Sequence, residues 1–417
     1  MNQNSANRQS RPRSLLYATG AGIGGSGLDA VAHESLRLAR DGGFLGRAVC
    51  YGCTASDIPR ERVDDLRYHP VKILRILPRR YYSGAKKAVA DGHAARLLAG
   101  GGFDLFHGWS GDAVRCLRAA AQAGIPSVLE IPTWHRNKGK RKPDVTMSER
   151  QRDEAPLPAR WLNSLLVTRQ QVMEEYRLAT LLLVLSEKAR ETFRIAGFPD
   201  DKLFMMHRGV DPERFTPAAS PPPAFRAIFV GALLRRKGVP LLLEAWREAA
   251  LPGAELELVG AVQPEVRAAI ERFADSSVKF PGHVRDVAAR LRNASIHVFP
   301  SELEGSAKAT YEAAACGLPQ ITTREAGDVV IDGKTGWVIP AKDPAALVAA
   351  LRAAYSDPAR LLQMGAAARE RVINHFTWKH FRERLGQAYE TAIARAADAS
   401  PRHFHLNSDI LTSGENG

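Results

Sequence analysis

Short apolar runs typical of buried strands alternate with helical patterns along most of the chain. Runs at 15–19 and 181–185 are predicted as strands, and segments such as 28–40 carry the spacing of amphipathic helices. Ser186 is predicted as the N-cap of the helix that follows the second of these runs. Strands that are separated by helices pair in parallel and are covered on both faces. The alternation therefore predicts an α/β fold with doubly wound, Rossmann-like parallel sheets.

A proline-rich segment interrupts the alternation near the middle of the chain. Residues 216–224 read TPAASPPPA, with four prolines and no apolar periodicity, which is typical of a linker. The strand and helix patterns resume after it, so we predict two Rossmann-like domains. The predicted parts are an N-terminal domain at 12–216, a linker at 217–224, a second domain at 225–377, a helix at 378–397 that could return to the first domain, and a disordered tail at 398–417.

Charge is distributed unevenly along the chain. The formal net charge is +13, and nearly all of the excess lies before residue 217, which favours anionic partners. The segment 67–87 combines seven cations with three tyrosines and suits contact with an acidic membrane face, and 135–142 is a second basic run. We recognise no nucleic-acid-binding module and predict no nucleic-acid partner. Because no run approaches the length of a membrane span or a signal-peptide core, we expect a cytoplasmic protein with peripheral membrane contact.

The segment 299–323, FPSELEGSAKATYEAAACGLPQITT, carries the strongest indication of a ligand site. It is predicted as a strand end, a tight turn through Gly305, and a helix that carries Glu312. In open α/β sheets, ligands bind beyond the carboxyl ends of the strands. Gly305 would allow the backbone to approach a ligand closely. Glu304 before the helix and Glu312 within it could bind two hydroxyl-bearing parts of one ligand.

The start of the same helix is predicted to bind phosphate. The backbone N–H groups of Ser306, Ala307 and Lys308 would face the crevice without partners inside the helix. The helix dipole adds positive potential at that end. Together with the two glutamates, this arrangement predicts a site for a diphosphate ester with a hydroxyl-bearing group on each side.

A basic turn follows the first strand of the predicted second domain. Residues 231–238 read GALLRRKG, so Arg235, Arg236 and Lys237 lie between a strand and a helix. Cations at this position would contact a diphosphate. They would also stabilise a departing nucleoside diphosphate as its negative charge develops.

A glycine-rich loop follows the first strand of the first domain. In GAGIGGSG at 20–27, the residues Gly22, Gly24 and Gly27 match the G-x-G-x-x-G pattern of dinucleotide-binding loops. That pattern also requires an acidic residue at the end of the second strand. The predicted second strand ends without one, and the next acid is Asp57. The loop leaves a nicotinamide-dependent oxidoreductase as the alternative function of the chain.

The segment around Glu304 and Glu312 resembles the E-x7-E signature of the retaining glycosyltransferases of family 4, which have the GT-B fold. The stretches HRGVDPERF at 207–215, FVGALLRRKGVPLLLEAW at 229–246 and AGDVVIDGKTGWVIPAKDPAAL at 326–347 also resemble that family. The resemblance covers most of residues 15–376 and is densest from 207 to 347. It implies two Rossmann-like domains that face each other across a cleft.

The resemblance also implies roles for individual residues. Glu304 would contact hydroxyls of a donor sugar, and Glu312 would contact the ribose of its nucleotide. The Arg236 and Lys237 pair would supply the charge for the diphosphate, although Ala232 occupies a position where many relatives have Arg. His135 would lie in the cleft beside the reacting sugar, so that His135, Glu304 and Lys237 are the candidate catalytic residues.

Further first-domain residues are candidates on the same basis. The family's glycine loop faces the cleft, which assigns Gly24, Gly25, Ser26 and Gly27 to an acceptor or phosphate loop. His107 matches a frequent histidine of the family, and Glu130 is a further candidate carboxylate of the cleft. The family activity would be retaining sugar transfer from a nucleotide diphosphate sugar to a hydroxyl acceptor in polysaccharide or glycolipid synthesis, with a lipid-linked acceptor as one possibility. Since the sequence has no Asp-x-Asp pair and no metal-ligand spacing, we expect no metal and no cofactor besides the nucleotide sugar.

Overall fold

The structure of the chain is a computed structural model that describes residues 12–25, 27–135, 156 and 159–399. The strands in these ranges are β1 (Leu15–Ala18), β2 (Leu45–Cys50), β3 (Val63–Asp65), β4 (Leu105–Trp109), β5 (Ser127–Glu130), β6 (Leu181–Val184), β7 (Leu203–Met205), β8 (Arg226–Val230), β9 (Glu255–Val259), β10 (Val278–Gly282), β11 (Ile296–Phe299), β12 (Gln320–Thr323) and β13 (Gly336–Ile339). The α-helices are α1 (Leu28–Asp41), α2 (Arg79–Ala99), α3 (Val114–Gln122), α4 (Ala159–Ser164), α5 (Arg169–Leu178), α6 (Glu187–Ile195), α7 (Val239–Ala249), α8 (Arg267–Phe273), α9 (Val287–Arg292), α10 (Lys308–Ala315), α11 (Pro344–Ser356), α12 (Pro358–His375) and α13 (Trp378–Ala399).

The strands form two separate sheets. The first has the order β3-β2-β1-β4-β5-β6-β7, and the second has the order β10-β9-β8-β11-β12-β13. Paired strands in both sheets run parallel. In each sheet the first three strands extend from the middle in one direction, and the later strands extend in the other. The switch point lies between β1 and β4 in the first sheet and between β8 and β11 in the second. The predicted fold class, two doubly wound α/β domains, is confirmed.

Helices cover both faces of each sheet, which explains why the central strands are apolar along their whole length. Every residue of β6 and every residue of β4 is buried. In the second sheet, Phe229 of β8 stacks on Phe299 of β11, with ring centroids 5.2 Å apart. The two sheets therefore give each half of the chain a hydrophobic core of its own.

The last helix, α13, packs on the first sheet although it follows the second one in sequence. Its residues Phe381, Leu385 and Tyr389 are buried in the core that also contains β1 and α1. The Tyr389 hydroxyl lies 2.8 Å from Nδ1 of His107 on β4. Two chain crossings therefore connect the domains, one before β8 and one between α12 and α13.

The carboxyl ends of the two sets of strands face each other. Ser186, two residues after the end of β6, donates its hydroxyl to the carbonyl of Gly305, which follows β11, at 2.7 Å. The same hydroxyl accepts the Ala189 N–H at 3.2 Å, so the predicted N-cap of α6 is confirmed. The Glu187 N–H donates to Asp328 Oδ2 of the second domain at 2.8 Å. The loops that carry the candidate site therefore lie between the domains.

Candidate functional site

Two loops of the second sheet form the core of the candidate site, and both follow strands at its switch point. The first loop leaves β8 and contains a turn of 3₁₀ helix, Arg235–Lys237, and the second leaves β11 at Phe299. The Arg236 carbonyl accepts from the Glu302 N–H at 2.8 Å and from the Ser301 hydroxyl at 3.2 Å. These bonds hold the loops together where ligands bind in folds of this type.

Close backbone packing fixes the relative position of the two loops. Gly238, at the start of α7, has a φ of 78°, and a Cβ there would lie 2.0 Å from the carbonyl oxygen of Pro300. Both the left-handed backbone and the contact require glycine. The sequence GALLRRKG therefore ends with a residue that joins the basic turn to the loop of Glu304.

Glu304 is the acidic centre of the site. Its Oε1 accepts from the Arg236 guanidinium at 2.7 Å and lies 3.4 Å from Lys237 Nζ. The carboxylate is largely shielded, with 15% of its side chain exposed, whereas the Arg236 side chain is 47% exposed. The structure thus brings together three residues that the sequence predicted separately for one site.

Lys237 is held more firmly than Arg236. Its ammonium lies 5.2 Å from the centroid of the Phe299 ring, an attractive cation–π distance. A Cβ at Gly231 would stand 3.0 Å from Lys237 Nζ, so glycine at that position leaves space for the ammonium. The cation is positioned by β8 and β11 together and lies beside the Glu304 carboxylate.

Helix α10 and the residues just before it contribute Glu312 and Ser306 to the site. The Ser306 hydroxyl lies 2.8 Å from the Tyr311 hydroxyl, and Glu312 Oε1 lies 2.7 Å from Lys308 Nζ one turn earlier. Both Ser306 and Glu312 are buried. Ala307 corrects one expectation, because its N–H donates to the Ala326 carbonyl at 2.8 Å. It is therefore not one of the unpartnered amides that the sequence predicted at this helix start.

Two amides of the glycine loop of the first domain bond to Asp29, at the start of α1. The Gly22 N–H donates to Asp29 Oδ1 and the Gly24 N–H donates to the Asp29 carbonyl, both at 3.1 Å. The Gly24 amide therefore already has a partner, at the start of α1. Gly25 and Gly27 have positive φ angles, and a Cβ on either would meet no atom within 4 Å. Ser26 lies outside the described residues.

His135 is buried, whereas the resemblance implied a position in the cleft beside the reacting sugar. Its ring packs among Tyr176, Phe193 and Phe198, with centroid distances of 5.3, 5.0 and 5.8 Å. Its backbone N–H donates to the Thr192 hydroxyl at 3.0 Å, and only 3% of the residue is exposed. This environment suits a packing role better than contact with a reacting sugar.

Two further first-domain candidates, His107 and Glu130, are also buried. The His107 pKa is lowered to about 3 because burial disfavours the imidazolium. The Glu130 pKa is raised from 4.5 to about 7 by burial, an effect that the charge of Arg208 partly offsets. Neither carboxylate oxygen of Glu130 has a hydrogen-bond partner among the described residues. Both side chains lie in the protein interior, so neither is exposed at the surface of the cleft.

Comparison with known proteins identifies the second half of the chain. Residues 224–357 match the family described as "Glycosyl transferases group 1". Over these residues the chain is similar to a group 1 glycosyl transferase domain, and this range is called the transferase domain below. This transferase domain contains all of the strands β8 to β13, with both loops that hold Arg236, Lys237 and Glu304.

Individual relatives agree with this assignment. The chain is 28% identical over 235 residues to a Salmonella typhimurium protein assigned as the colanic acid biosynthesis glycosyltransferase WcaL. The match covers 52% of this chain and 58% of that protein, so the chain spans little more than half the length of this relative. The similarity lies with transferases, and it gives the oxidoreductase alternative no support.

Solved structures extend the likeness to both domains. Sucrose-phosphate synthase from Thermosynechococcus elongatus superposes with a TM-score of 0.66 at 21% identity, over 92% of this chain and all of that one. Anabaena HepE in complex with UDP-glucose superposes with a TM-score of 0.64 at 16% identity, over 90% of this chain and 98% of that one. These neighbours are GT-B glycosyltransferases, and the two-domain arrangement beside the transferase domain is the GT-B fold that was predicted.

The structure adds a residue that the sequence did not indicate. Asp328 of the transferase domain accepts from the Glu187 N–H of α6 and lies 3.4 Å from His207 Nε2. A carboxylate at a helix N-terminus is stabilised by the helix dipole, so Asp328 joins the domains beside the site. Its sequence context, AGDVV, gives no indication of this contact, because the partner helix is more than 130 residues away.

Within the described ranges, no three His, Cys, Asp or Glu side chains are grouped so that they could hold a metal ion. None of the helices found there combines the length and the apolar character that a membrane crossing requires.

Proposed function

We propose that this protein transfers a glycosyl group from a nucleoside diphosphate sugar to a hydroxyl acceptor. The observation that carries the proposal is the contact of Glu304 with Arg236 and Lys237 at the carboxyl edge of the second sheet, directly opposite the first domain. Cations beside a carboxylate at this edge suit a ligand that carries both a diphosphate and hydroxyl groups. The WcaL relative and the UDP-glucose complex of HepE support the reaction class.

Each residue has a distinct role in this proposal. Lys237 and Arg236 bind the diphosphate and stabilise the negative charge that develops as it departs. Glu304 would exchange its contacts with these cations for hydrogen bonds from the hydroxyls of the donor sugar. Glu312 would bind the ribose, which requires Lys308 to move from its present contact or to bind the diphosphate itself. His135 is left out of the reaction because its ring is enclosed by aromatic side chains.

The proposed reaction retains the configuration of the sugar. The bond from the anomeric carbon to the diphosphate oxygen breaks, and a bond from the same carbon to the acceptor oxygen forms on the same face. The acceptor proton passes to the departing diphosphate, so the reaction needs no further base. The protein's part is to hold donor and acceptor together and to exclude water when the domains close.

The positive charge at the diphosphate comes from the protein in this proposal. Arg236 and Lys237 take the place of a divalent cation, and no further cofactor takes part. The second domain binds the donor, and the first domain, with Gly25 and Gly27 in its glycine loop, presents the acceptor. We further propose that the enzyme acts in cell-surface polysaccharide or glycolipid synthesis, in the cytoplasm at the inner face of the membrane, on an acceptor that is linked to lipid.

A thermal-shift screen with UDP, GDP, ADP and their sugar conjugates tests the donor class, because a ligand of the native state raises the melting temperature. We expect one nucleoside diphosphate and its sugars to raise it, and NAD and NADP to leave it unchanged. A shift with NAD or NADP alone would contradict the proposal. The variant Lys237→Gln serves as the matched control, since it should lose the shift that the wild-type protein shows.

A further inference from the structure

The segment after β3 carries the most exposed apolar side chains in the described part of the chain. Ile76 is 86% exposed, Tyr68 is 77% exposed and Ile73 is 68% exposed, and no other large apolar side chain described reaches these values. All three lie within nine consecutive residues. Single exposed apolar residues are ordinary, but a group of three in one segment marks a surface that contacts another body.

The backbone of this segment arranges its residues by type. Pro70–Ile76 is a 3₁₀ helix, in which residues three apart lie above one another. Ile73 and Ile76 therefore share one edge of the helix, and Lys72 and Arg75 share the next, with all four side chains exposed. The third edge contains Val71 and Leu74, which are partly buried. The 3₁₀ helix thus presents an apolar edge and a basic edge side by side to solvent.

The charges along this stretch of the sequence all have one sign. From Leu66 to Ala90 the sequence has seven Lys and Arg residues and no Asp or Glu. Lys72 Nζ lies 5.8 Å from the Tyr68 ring centroid, and the Arg75 guanidinium lies 5.9 Å from that of Tyr82. None of the salt bridges found among the described residues involves Lys72, Arg75, Arg79 or Arg80. These cations are therefore available to an external anionic partner.

Helix α2 adds a second indication of such a partner. It begins with Arg79 and Arg80 and has no acidic residue in its first turn. Cations at a helix N-terminus are unfavourable because the helix dipole makes that end positive. An anionic surface next to the first turn would remove this unfavourable interaction.

We propose that the segment Tyr68 to Arg80 docks on the surface of an anionic lipid bilayer. Ile73, Ile76 and Tyr68 would enter the interface between headgroups and acyl chains, while Lys72 and Arg75 contact the anionic headgroups. A bilayer fits better than a protein or a nucleic acid, since the apolar and basic edges lie side by side on a short convex helix. That arrangement matches the composition of interfacial anchors.

The docking surface has a defined position relative to the candidate site. It follows the carboxyl end of β3, the outermost strand of the first sheet, so it lies at the same edge as the cleft. Two turns into α2, Lys87 Nζ contacts Asp112, whose Oδ2 accepts the Gly20 N–H of the glycine loop. A docked protein would therefore hold its glycine loop close to the membrane surface. Docking itself does not rest on the proposed sugar transfer, whereas its use for a lipid-linked acceptor does.

Vesicle binding of the full chain tests the proposal in the absence of any nucleotide or acceptor. We expect co-sedimentation with vesicles of phosphatidylglycerol and phosphatidylcholine in equal parts, and little with phosphatidylcholine alone. The double variant Lys72→Gln/Arg75→Gln should bind the anionic vesicles about 25-fold more weakly, since each cation near such a surface contributes about a fivefold change. Ile73→Ser/Ile76→Ser should weaken binding and reduce its persistence at high salt.

Matched controls separate this surface from the general charge of the protein. Lys279→Gln/Lys334→Gln removes two exposed cations of the second domain, and Ile195→Ser removes an apolar side chain that is 61% exposed elsewhere. Both should bind vesicles as the wild-type protein does, with melting temperatures confirming that all variants fold. The proposal would be overturned if the control variants bound vesicles as weakly as the segment variants do. It would also be overturned if both segment variants bound vesicles as the wild-type protein does. Binding to heparin without binding to vesicles would overturn it as well. Loss of docking with intact donor binding would leave the proposed sugar transfer in place.

Discussion

Gly305 and Pro132 belong to opposite domains, and a Cβ atom on Gly305 would stand 2.2 Å from the carbonyl oxygen of Pro132. The carbonyl of Gly305 also accepts the Ser186 hydroxyl. The backbone beside Glu304 is therefore in direct contact with the first domain. Binding in the second domain and the position of the first domain are thus physically connected at this glycine.

Gly305→Ala should reduce activity while leaving both domains folded. Its φ is not in the left-handed region, so the added methyl group acts through its overlap with Pro132 and forces the domains apart. Overpacking of this kind costs about 1–3 kcal/mol, which predicts a loss of kcat/KM of about tenfold or more. Steady-state kinetics with the donor found in the screen would measure it.

Gly386→Ala is the matched control for that variant. Gly386 lies within α13, and a Cβ there meets no atom within 4 Å. This change should leave kcat/KM unchanged and raise the melting temperature slightly, because alanine favours a helix over glycine by about 1 kcal/mol. Equal kinetics for the two glycine variants would show that the contact at Gly305 has no part in catalysis.

Lys237→Gln should weaken the binding of the nucleoside diphosphate. Hydrogen bonds to charged groups contribute about 1.5–3 kcal/mol, so a loss of affinity of about tenfold or more is expected in calorimetric titrations. Arg235→Gln makes the same change of charge at an exposed residue of the same turn and should have a much smaller effect. An equal loss in both variants would indicate a general field effect instead of a specific contact.

Glu130→Gln should stabilise the protein at alkaline pH and leave it nearly unchanged in acid. The folded-state pKa is about 7 against an ordinary 4.5, so the folded state binds this proton more tightly than the unfolded chain does. Ionisation of Glu130 therefore lowers the free energy of unfolding as the pH rises from 4.5 to 7, and the full reduction is present above pH 7. Replacing Glu130 with Gln should raise the free energy of unfolding by about 3 kcal/mol at about pH 8.

Denaturant titrations of both proteins at about pH 5 and about pH 8 would measure this difference. Other titrating groups contribute equally to the variant and the wild-type protein, so they cancel in the comparison. The structure indicates that burial desolvates the Glu130 carboxylate. A stabilisation by Glu130→Gln that does not change with pH would contradict this desolvation.

Chelation of divalent cations should leave the rate of transfer unchanged. In the proposed reaction, Lys237 and Arg236 neutralise the charge of the departing diphosphate. In other enzymes a bound metal ion neutralises such a leaving group. Initial rates with and without EDTA would check this, with readdition of magnesium as the control. A rate that falls with EDTA and recovers with magnesium would refute the metal-independent mechanism.

The fold and the proximity of Arg236, Lys237 and Glu304 could be predicted from the sequence for the same physical reason. Strand and helix periodicity is local, so the two parallel sheets follow from it directly. Arg236, Lys237 and Glu304 follow two strands on either side of the switch point, and the fold itself then brings their side chains together. Prediction of these contacts needed no knowledge of distant packing.

The residues that were misplaced depend on packing that periodicity does not contain. His135 follows a predicted strand end, but the aromatic residues that enclose it come from α5 and from the α6 region, beyond residue 170. Gly24 matches a phosphate-loop pattern, yet its amide donates to the Asp29 carbonyl at the start of α1. His107 is buried because α13, the last helix of the chain, returns to cover it.

The decisive measurement is a crystal structure of the protein with its nucleoside diphosphate bound. We expect the diphosphate to lie between Lys237 and the start of α10, with the ribose within hydrogen-bond distance of Glu312 and with Glu304 released from Arg236. A nucleotide bound at the glycine loop of the first domain, with Glu304 still paired to Arg236 and Lys237, would contradict it.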